Sequence, residues 1–235
     1  MTNEHRNDSA NEKAIKFWKN FYALINNARK KDEILDAYHD SKDWTAFLKE
    51  NIRSMLENKK SQDESIEDKY QYNGLQVSNE YFRVDITGWN LNNEQHPNWG
   101  KKTYYANKIN NEIFYEHCWN LELAIEYEND SRDWMDEVIK LCHIKCGLKV
   151  VIGYENSKTR EALDERKLEL AAKHIGHLKY GSRLDSNEEF LIILGASNLK
   201  YKPEGIDELG FEPYVFVNGK DSEPGKFVSL LDKGK

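Results

Sequence analysis

The sequence has little of what marks secreted, membrane or disulfide-built proteins. It holds three cysteines in 235 residues, and an odd number of cysteines without an export signal predicts reduced thiols. No apolar run approaches the length that crosses a bilayer. The polar residues 1–12 contain no apolar signal core. We therefore expect a cytoplasmic protein that is neither exported nor inserted into a membrane.

The usual fingerprints of several enzyme and metal classes are also missing. The glycines form no Walker or dinucleotide-binding loop and no Gly-x-Ser-x-Gly elbow. Zinc prefers paired cysteines, but Cys118, Cys142 and Cys146 form no Cys-x-x-Cys pair, so core thiols are the better interpretation. His174 and His177 fall near a predicted helix end, where a capping or surface role is favoured over a ligand role.

Positive charge is in short supply as well. The 34 Lys and Arg residues are outnumbered by 41 Asp and Glu residues, which gives a net charge of −7. This balance counts against broad attraction to nucleic acid, although it does not exclude a local basic patch. The hydrophobic fraction of 39% is enough for a globular core, in one elaborated domain or one domain with a helical appendage.

The pattern along the chain predicts three parts. Residues 1–11 form a polar leader that we expect to be disordered, residues 12–58 form a helical region, and residues 70–235 form the main domain after a charged linker at 58–69. Two amphipathic helices are predicted in the second part, with apolar positions Ala14, Trp18, Phe21 and Ile25 in the first, and with Ser41 as N-cap and Trp44, Leu48, Ile52 and Met55 in the second.

The main domain alternates strand and helix patterns. Strands are predicted at 81–89, 119–128, 148–154, 190–194, 214–217 and 227–231, helices at 132–146 and from 158 onward, and an insertion that forms a loose hairpin at 90–111. This order predicts an α/β fold with a mixed central sheet flanked by helices.

One strand carries an unusual set of carboxylates. Its alternation predicts that Leu121, Leu123, Ile125 and Tyr127 share one face and Glu122, Ala124, Glu126 and Glu128 share the other. Burying adjacent unpaired carboxylates is costly, and a divalent cation removes that cost because it takes several oxygen ligands. Asp85 lies on the polar face of the neighbouring predicted strand. The alternative is an edge strand with solvated glutamates and an ordinary surface aspartate at 85.

The order of these features resembles the PD-(D/E)XK, or restriction-endonuclease-like, nuclease superfamily over residues 70–195. The residues that carry the resemblance are Val84-Asp85-Ile86 and Ala124-Ile125-Glu126-Tyr127-Glu128-Asn129, followed by the helix at 132–146 and the strand LKVVIGY. The resemblance implies a restriction-endonuclease-like fold with an N-terminal helical extension. It also implies a metal-dependent endonuclease that hydrolyses DNA phosphodiester bonds, in restriction or another defence against foreign DNA.

The resemblance also implies roles for individual residues. Asp85, Glu126 and the main-chain carbonyl of Tyr127 would hold Mg²⁺, with Mn²⁺ as the other candidate. Glu128 would orient or deprotonate the attacking water. Such an ion lowers the pKa of its water and neutralises charge that develops on the phosphate.

The sequence departs from the superfamily pattern at two positions. Glu128 stands where a lysine is usual, as in an active Glu-x-Glu subset of restriction enzymes, and Val84 replaces the proline before the first acid. The identity of the general base therefore stays open. Lys140 is either a lysine that has migrated to the helix or a solvated helix residue, and a further acid would come from Glu67 or Glu80.

A segment in the predicted insertion combines aromatic and basic residues. Lys101, Lys102, Tyr104 and Tyr105 are interleaved there, and rings that stack on bases beside cations that meet phosphates are typical of a nucleic-acid contact. The alternative is a surface hairpin of ordinary composition.

Two further functions compete with the nuclease. A protein that keeps the fold but has lost catalysis would act as a binding or regulatory subunit, which the net charge and the missing lysine favour. A structural partner in a larger complex would use the helices of Trp18 and Trp44 as its docking surface. A homodimer suits an enzyme that cuts both DNA strands, but no residue pattern indicates one.

Overall fold

The chain begins with three helices and continues with nine strands and two further helices in the part that the structure describes. The structure, a computed structural model, describes residues 11–27, 30–38, 40–56, 76–81, 84–91, 107–109, 112–114, 119–129, 134–156, 160–177, 187–197, 209–219 and 225–231. Its helices are α1 (Glu12–Ile25), α2 (Lys31–Tyr38), α3 (Ser41–Leu56), α4 (Trp134–Cys142) and α5 (Arg160–His177). Its strands are β1 (Gln76–Tyr81), β2 (Val84–Leu91), β3 (Asn107–Ile109), β4 (Glu112–Phe114), β5 (Trp119–Tyr127), β6 (Leu148–Asn156), β7 (Glu189–Ser197), β8 (Glu212–Val217) and β9 (Lys226–Ser229).

Seven of the strands form one mixed sheet in the order β1-β2-β5-β6-β7-β8-β9. The central strands β5, β6 and β7 are parallel, and β4 and β3 form a separate two-stranded hairpin. The outer pairs, β1 with β2, β2 with β5, β7 with β8 and β8 with β9, are antiparallel. The predicted mixed sheet is therefore confirmed. None of the described helices is both long and apolar enough to span a membrane.

Helices cover both faces of the sheet. On one face α1, α2 and α3 pack through buried side chains that include Phe17, Trp18, Phe21, Ile34, Trp44, Leu48 and Ile52. On the other face α4 and α5 pack through Trp134, Val138, Leu141, Leu168, Ala171 and Ile175. Trp18 and Trp44 are 7% and 1% exposed, so both rings belong to the core. The docking role predicted for the helices that carry them stays a prediction.

The N-terminal region differs from the predicted helical pair. It contains three helices, because α2 lies between the two that the apolar spacing predicts. The predicted N-cap at Ser41 is also wrong by one residue. Asp40 caps α3, since its Oδ1 accepts hydrogen bonds from the main-chain N–H groups of Lys42 at 2.8 Å and Asp43 at 3.2 Å. Apart from Asn11, the predicted leader and the predicted linker lie outside the described residues.

Two predicted boundaries in the main domain are wrong. The strand predicted at 81–89 is two strands, since Tyr81 ends β1 and pairs with Val84, which begins β2. The helix predicted to reach residue 146 ends at Cys142, and Gly147 lies immediately before β6 rather than at the helix end. A Cβ atom at Gly147 would lie 2.5 Å from Lys13 Nζ, so the flexible Lys13 side chain would have to shift if a larger residue stood there.

A β-bulge changes the predicted faces of β5. Leu123 pairs with Gly88 and Leu121 pairs with Trp89, so Glu122 is an extra residue between them. Its carboxylate lies 3.7 Å from Lys13 Nζ on α1, whereas Leu121 packs with the layer of α4 and α5. The prediction that Glu122 shares a face with Glu126 is therefore wrong, because the bulge reverses the alternation before Leu123.

Candidate active site

Two predicted acids lie at the same end of two adjacent strands. β2 and β5 are antiparallel and Ile86 pairs with Ile125, so Asp85 near the start of β2 reaches the end of β5 that carries Glu126. Asp85 Oδ2 accepts a hydrogen bond from the main-chain N–H of Tyr127 at 2.9 Å. At this end of the β2–β5 pairing, the Asp85 carboxylate therefore accepts the hydrogen bond that a main-chain carbonyl would otherwise accept.

Glu126 is buried under α4. It is 1% exposed, and its Oε1 lies 2.6 Å from Nζ of Lys140. The Lys140 ammonium also donates a hydrogen bond to Glu137 Oε2 at 2.9 Å. Among the described residues, Glu126 Oε1 accepts no hydrogen bond of regular geometry, so the contact with Lys140 is an ion pair. One lysine thus serves two carboxylates.

Burial raises the pKa of Glu126 to about 8. The close contact with Lys140 and its positive charge lower that pKa, whereas the charges of Glu137 and Asp85 raise it further. Burial also lowers the pKa of Lys140, but its contacts with the two glutamates outweigh this effect and raise it. At neutral pH the cluster therefore holds a charged lysine and a glutamate that readily binds a proton.

A second lysine approaches the acids from the opposite layer. Nζ of Lys49 on α3 lies 3.2 Å from Asp85 Oδ1 and 5.5 Å from the centroid of the Tyr127 ring. Lys49 is not predictable from the sequence, because no residue near it on α3 indicates that this helix packs beside Asp85. Lysines from α3 and α4 thus contact the two acids from opposite sides of the sheet.

The structure gives less detail for the other predicted acids. Glu128 lies one residue beyond β5, and its main-chain N–H donates to Ile152 O at 3.0 Å. The role predicted for its carboxylate stays a prediction. Glu80 lies in β1, and Glu67 lies outside the described residues. Lys140 is not simply a solvated helix residue, because its ammonium lies 2.6 Å from Glu126, and its role in the site stays a prediction.

The remaining sequence candidates add nothing to this cluster. The predicted nucleic-acid-binding residues Lys101, Lys102, Tyr104 and Tyr105 lie outside the described part of the chain. Cys142 and Cys146 are free thiols whose pKa values burial raises to about 11 and about 12, so they stay protonated at neutral pH. Across the described ranges, no three His, Cys, Asp or Glu side chains are grouped so that they would hold a metal ion.

The candidate donors for a hard divalent cation are two carboxylates and one main-chain oxygen. Glu126 offers a buried oxygen that accepts no regular hydrogen bond within the described chain, and Asp85 lies close enough for its charge to raise the Glu126 pKa. The Tyr127 N–H points toward β2 while the next N–H points toward β6, so the Tyr127 carbonyl also points toward β2. Oxygen ligands of this kind are what Mg²⁺ and Mn²⁺ prefer.

Comparison with known proteins identifies no relative. No family model, no curated protein and no solved structure matches the chain.

Proposed function

We propose that the protein is a metal-dependent endonuclease that hydrolyses DNA phosphodiester bonds, with a restriction-endonuclease-like sheet and a role in restriction or defence. The observation that carries the proposal is the buried Glu126 carboxylate beside Lys140, with Asp85 near enough for its charge to raise the Glu126 pKa. A buried glutamate next to a second carboxylate is unfavourable in a purely structural role. The two acids therefore favour a site that takes up a cation.

The order of the elements supports the same fold. Asp85 lies on β2, Glu126 lies near the end of the adjacent strand β5, and α4 then leads into β6, which is parallel to β5. This is the succession of acidic strand, second acidic strand, helix and apolar strand on which the resemblance to the PD-(D/E)XK superfamily rests.

The residues of the site divide the chemistry between them. Asp85, Glu126 and the Tyr127 carbonyl would hold Mg²⁺ or Mn²⁺, which supplies water of lowered pKa and neutralises charge on the phosphate. Lys140, already 2.6 Å from Glu126, is positioned to stabilise negative charge beside these ligands. Glu128 is the candidate for orienting the attacking water.

The first experiment compares the unchanged protein with Glu126→Ala and Asp85→Ala. Plasmid and single-stranded DNA are incubated with Mg²⁺, Mn²⁺ or chelator, and circular dichroism checks that each variant is folded. We expect metal-dependent cleavage by the unchanged protein and a loss of at least about 100-fold in both variants. Cleavage that persists in folded Glu126→Ala, or that needs no metal, contradicts the proposal.

A catalytically inactive binding or regulatory subunit is the second candidate. It is favoured because Lys49 and Lys140 already neutralise Asp85 and Glu126, and because the net charge is −7. Calorimetric titration with Mn²⁺ separates the two functions. Binding that disappears in Glu126→Ala supports the nuclease, whereas no binding by the unchanged protein supports the inactive subunit.

A further inference from the structure

One flank of α3 is basic along most of its length. Lys42, Lys49 and Arg53 are spaced seven and four residues apart, and at 3.6 residues per turn they fall within an arc of about 40°. Over their eleven-residue separation the helix rises about 16 Å. We define these three residues as the α3 basic flank.

The acidic residues of α3 lie elsewhere on the helix. Asp43 and Glu50 are rotated about 80–100° from the basic flank and are exposed. The buried side of the helix carries Trp44, Leu48 and Ile52, which pack on the sheet. The basic flank therefore lies along the border between the packed side of α3 and its solvated acidic side.

The basic flank adjoins the candidate active site. Lys49, in its middle, reaches Asp85 Oδ1 at 3.2 Å. The start of α3 is held to the chain just after β5, since Asn129 Nδ2 donates to Ser41 O at 3.1 Å and to Thr45 Oγ1 at 2.6 Å. A ligand that lies along this flank is therefore brought to the end of the β2–β5 pair that carries Asp85 and Glu126.

We propose that the α3 basic flank binds the sugar–phosphate backbone of a nucleic acid next to the active site. The inference rests on the proposed nuclease function and names the surface that presents its substrate. Phosphates follow one another about every 3.4 Å along the axis of one strand, so about 16 Å corresponds to roughly five nucleotide steps. In a chain of net charge −7, a backbone ligand requires such a local concentration of positive charge.

Binding measured without cleavage tests this surface. A fluorescent DNA duplex is titrated in chelator, by anisotropy, with the unchanged protein and the triple variant Lys42→Gln, Lys49→Gln, Arg53→Gln. We expect the triple variant to bind about tenfold or more weakly at low salt. We also expect its plot of log affinity against log salt concentration to be less steep by about two to three, because each phosphate contact contributes about 0.9 to that slope.

A second triple variant controls for net charge. The triple variant Lys145→Gln, Lys173→Gln, Lys226→Gln removes three exposed positive charges, one from the segment between α4 and β6, one from α5 and one from β9. We expect its affinity to stay within about twofold of the unchanged protein. The double variant Lys42→Gln, Arg53→Gln, which leaves Lys49 on Asp85, should give an intermediate loss and replaces the first triple variant if that variant does not fold.

The outcomes separate this inference from the proposed function. If the unchanged protein cleaves DNA but both triple variants bind alike, the basic flank is not the binding surface and the nuclease proposal stands. If the protein binds DNA through the flank but never cleaves it, only the nuclease proposal fails. If the unchanged protein binds no DNA, the inference is overturned.

Discussion

Two buried glutamates on the same face of the sheet make an informative comparison. Glu126 on β5 is 1% exposed and Glu155 on the neighbouring strand β6 is 2% exposed. Each has a lysine ammonium 2.6 Å from its Oε1, Lys140 for the first and Lys167 for the second. By burial and by ion pairing, the two carboxylates are nearly identical.

Their other neighbours separate them. Glu155 Oε1 also accepts a hydrogen bond from Trp134 Nε1 at 2.6 Å, and the Lys167 ammonium lies 5.6 Å from the centroid of that ring. Glu126 instead shares Lys140 with Glu137 of α4, and the negative charge of Asp85 raises the Glu126 pKa. A buried glutamate with a lysine is therefore no sign of function by itself. The excess of carboxylates over donors around Glu126 marks the candidate site.

The largest expected difference between the two glutamates is in metal binding. Metal binding requires the Glu126 carboxylate without its proton, and its pKa is about 8. We expect the affinity for Mn²⁺ to rise by up to about tenfold per pH unit from pH 6 to 8 and to level off above that. Calorimetric titration at several pH values measures this dependence.

Glu155→Gln is the matched control for that titration. The Glu155 carboxylate already accepts hydrogen bonds from Trp134 and Lys167 and is not expected to bind metal. This variant should therefore bind Mn²⁺ with the same affinity and the same pH dependence as the unchanged protein. Glu126→Gln should lose the binding. An affinity that does not change between pH 6 and 8, or one that Glu155→Gln lowers as much as Glu126→Gln, contradicts the assignment of the site to Glu126.

The next difference is in stability, where the same substitution should act in opposite directions. At pH 8.5 Glu155→Gln should lower the free energy of unfolding by about 2 kcal/mol, because it removes the charge from buried hydrogen bonds. Glu126→Gln should raise it by about 2 kcal/mol, because it removes a charge that burial and two carboxylates disfavour. Urea unfolding measures both values.

The pH dependence gives the sign of the Glu126 effect. Its pKa is higher in the folded chain than the ordinary value of 4.5, so the proton it binds stabilises the fold below about pH 4.5. That contribution is lost as the pH rises through about 8. The stability gained by Glu126→Gln should therefore be larger at pH 8.5 than at pH 5.5. A gain that is equal at both pH values would show that Glu126 is not protonated in the folded protein.

The sequence predicts the longer helices and strands better than the short ones. Apolar residues at helical or strand spacing placed α1, α3, β5, β6 and β7, because those elements bury a continuous face. The eight-residue helix α2 was missed, since only Ile34, Leu35 and Tyr38 on it are buried. Short elements carry too few apolar positions to show a period.

The site was predictable in its acids and not in its cations. Glu126 follows from the alternation of β5 and Asp85 from the order of the strands, whereas the contacts of Lys49 and Lys140 depend on how α3 and α4 pack against opposite faces. Glu122 was misplaced for a similar reason. A bulge is defined by the partner strand, and the sequence of β5 alone does not contain it.

The smallest expected effect concerns Glu122, which the bulge separates from Glu126 on the same strand. Glu122 lies four residues before Glu126 on β5 but meets Lys13 of α1 at a partly exposed position. Glu122→Gln should change the free energy of unfolding by less than about 0.5 kcal/mol, as is usual for exposed ion pairs. It should leave Mn²⁺ affinity and DNA cleavage within about twofold of the unchanged protein, as plasmid cleavage and urea unfolding will measure. If Glu122→Gln instead abolishes cleavage, as is expected of Glu126→Ala, the two glutamates share a face and the site extends further along β5 than the pairing with β2 allows.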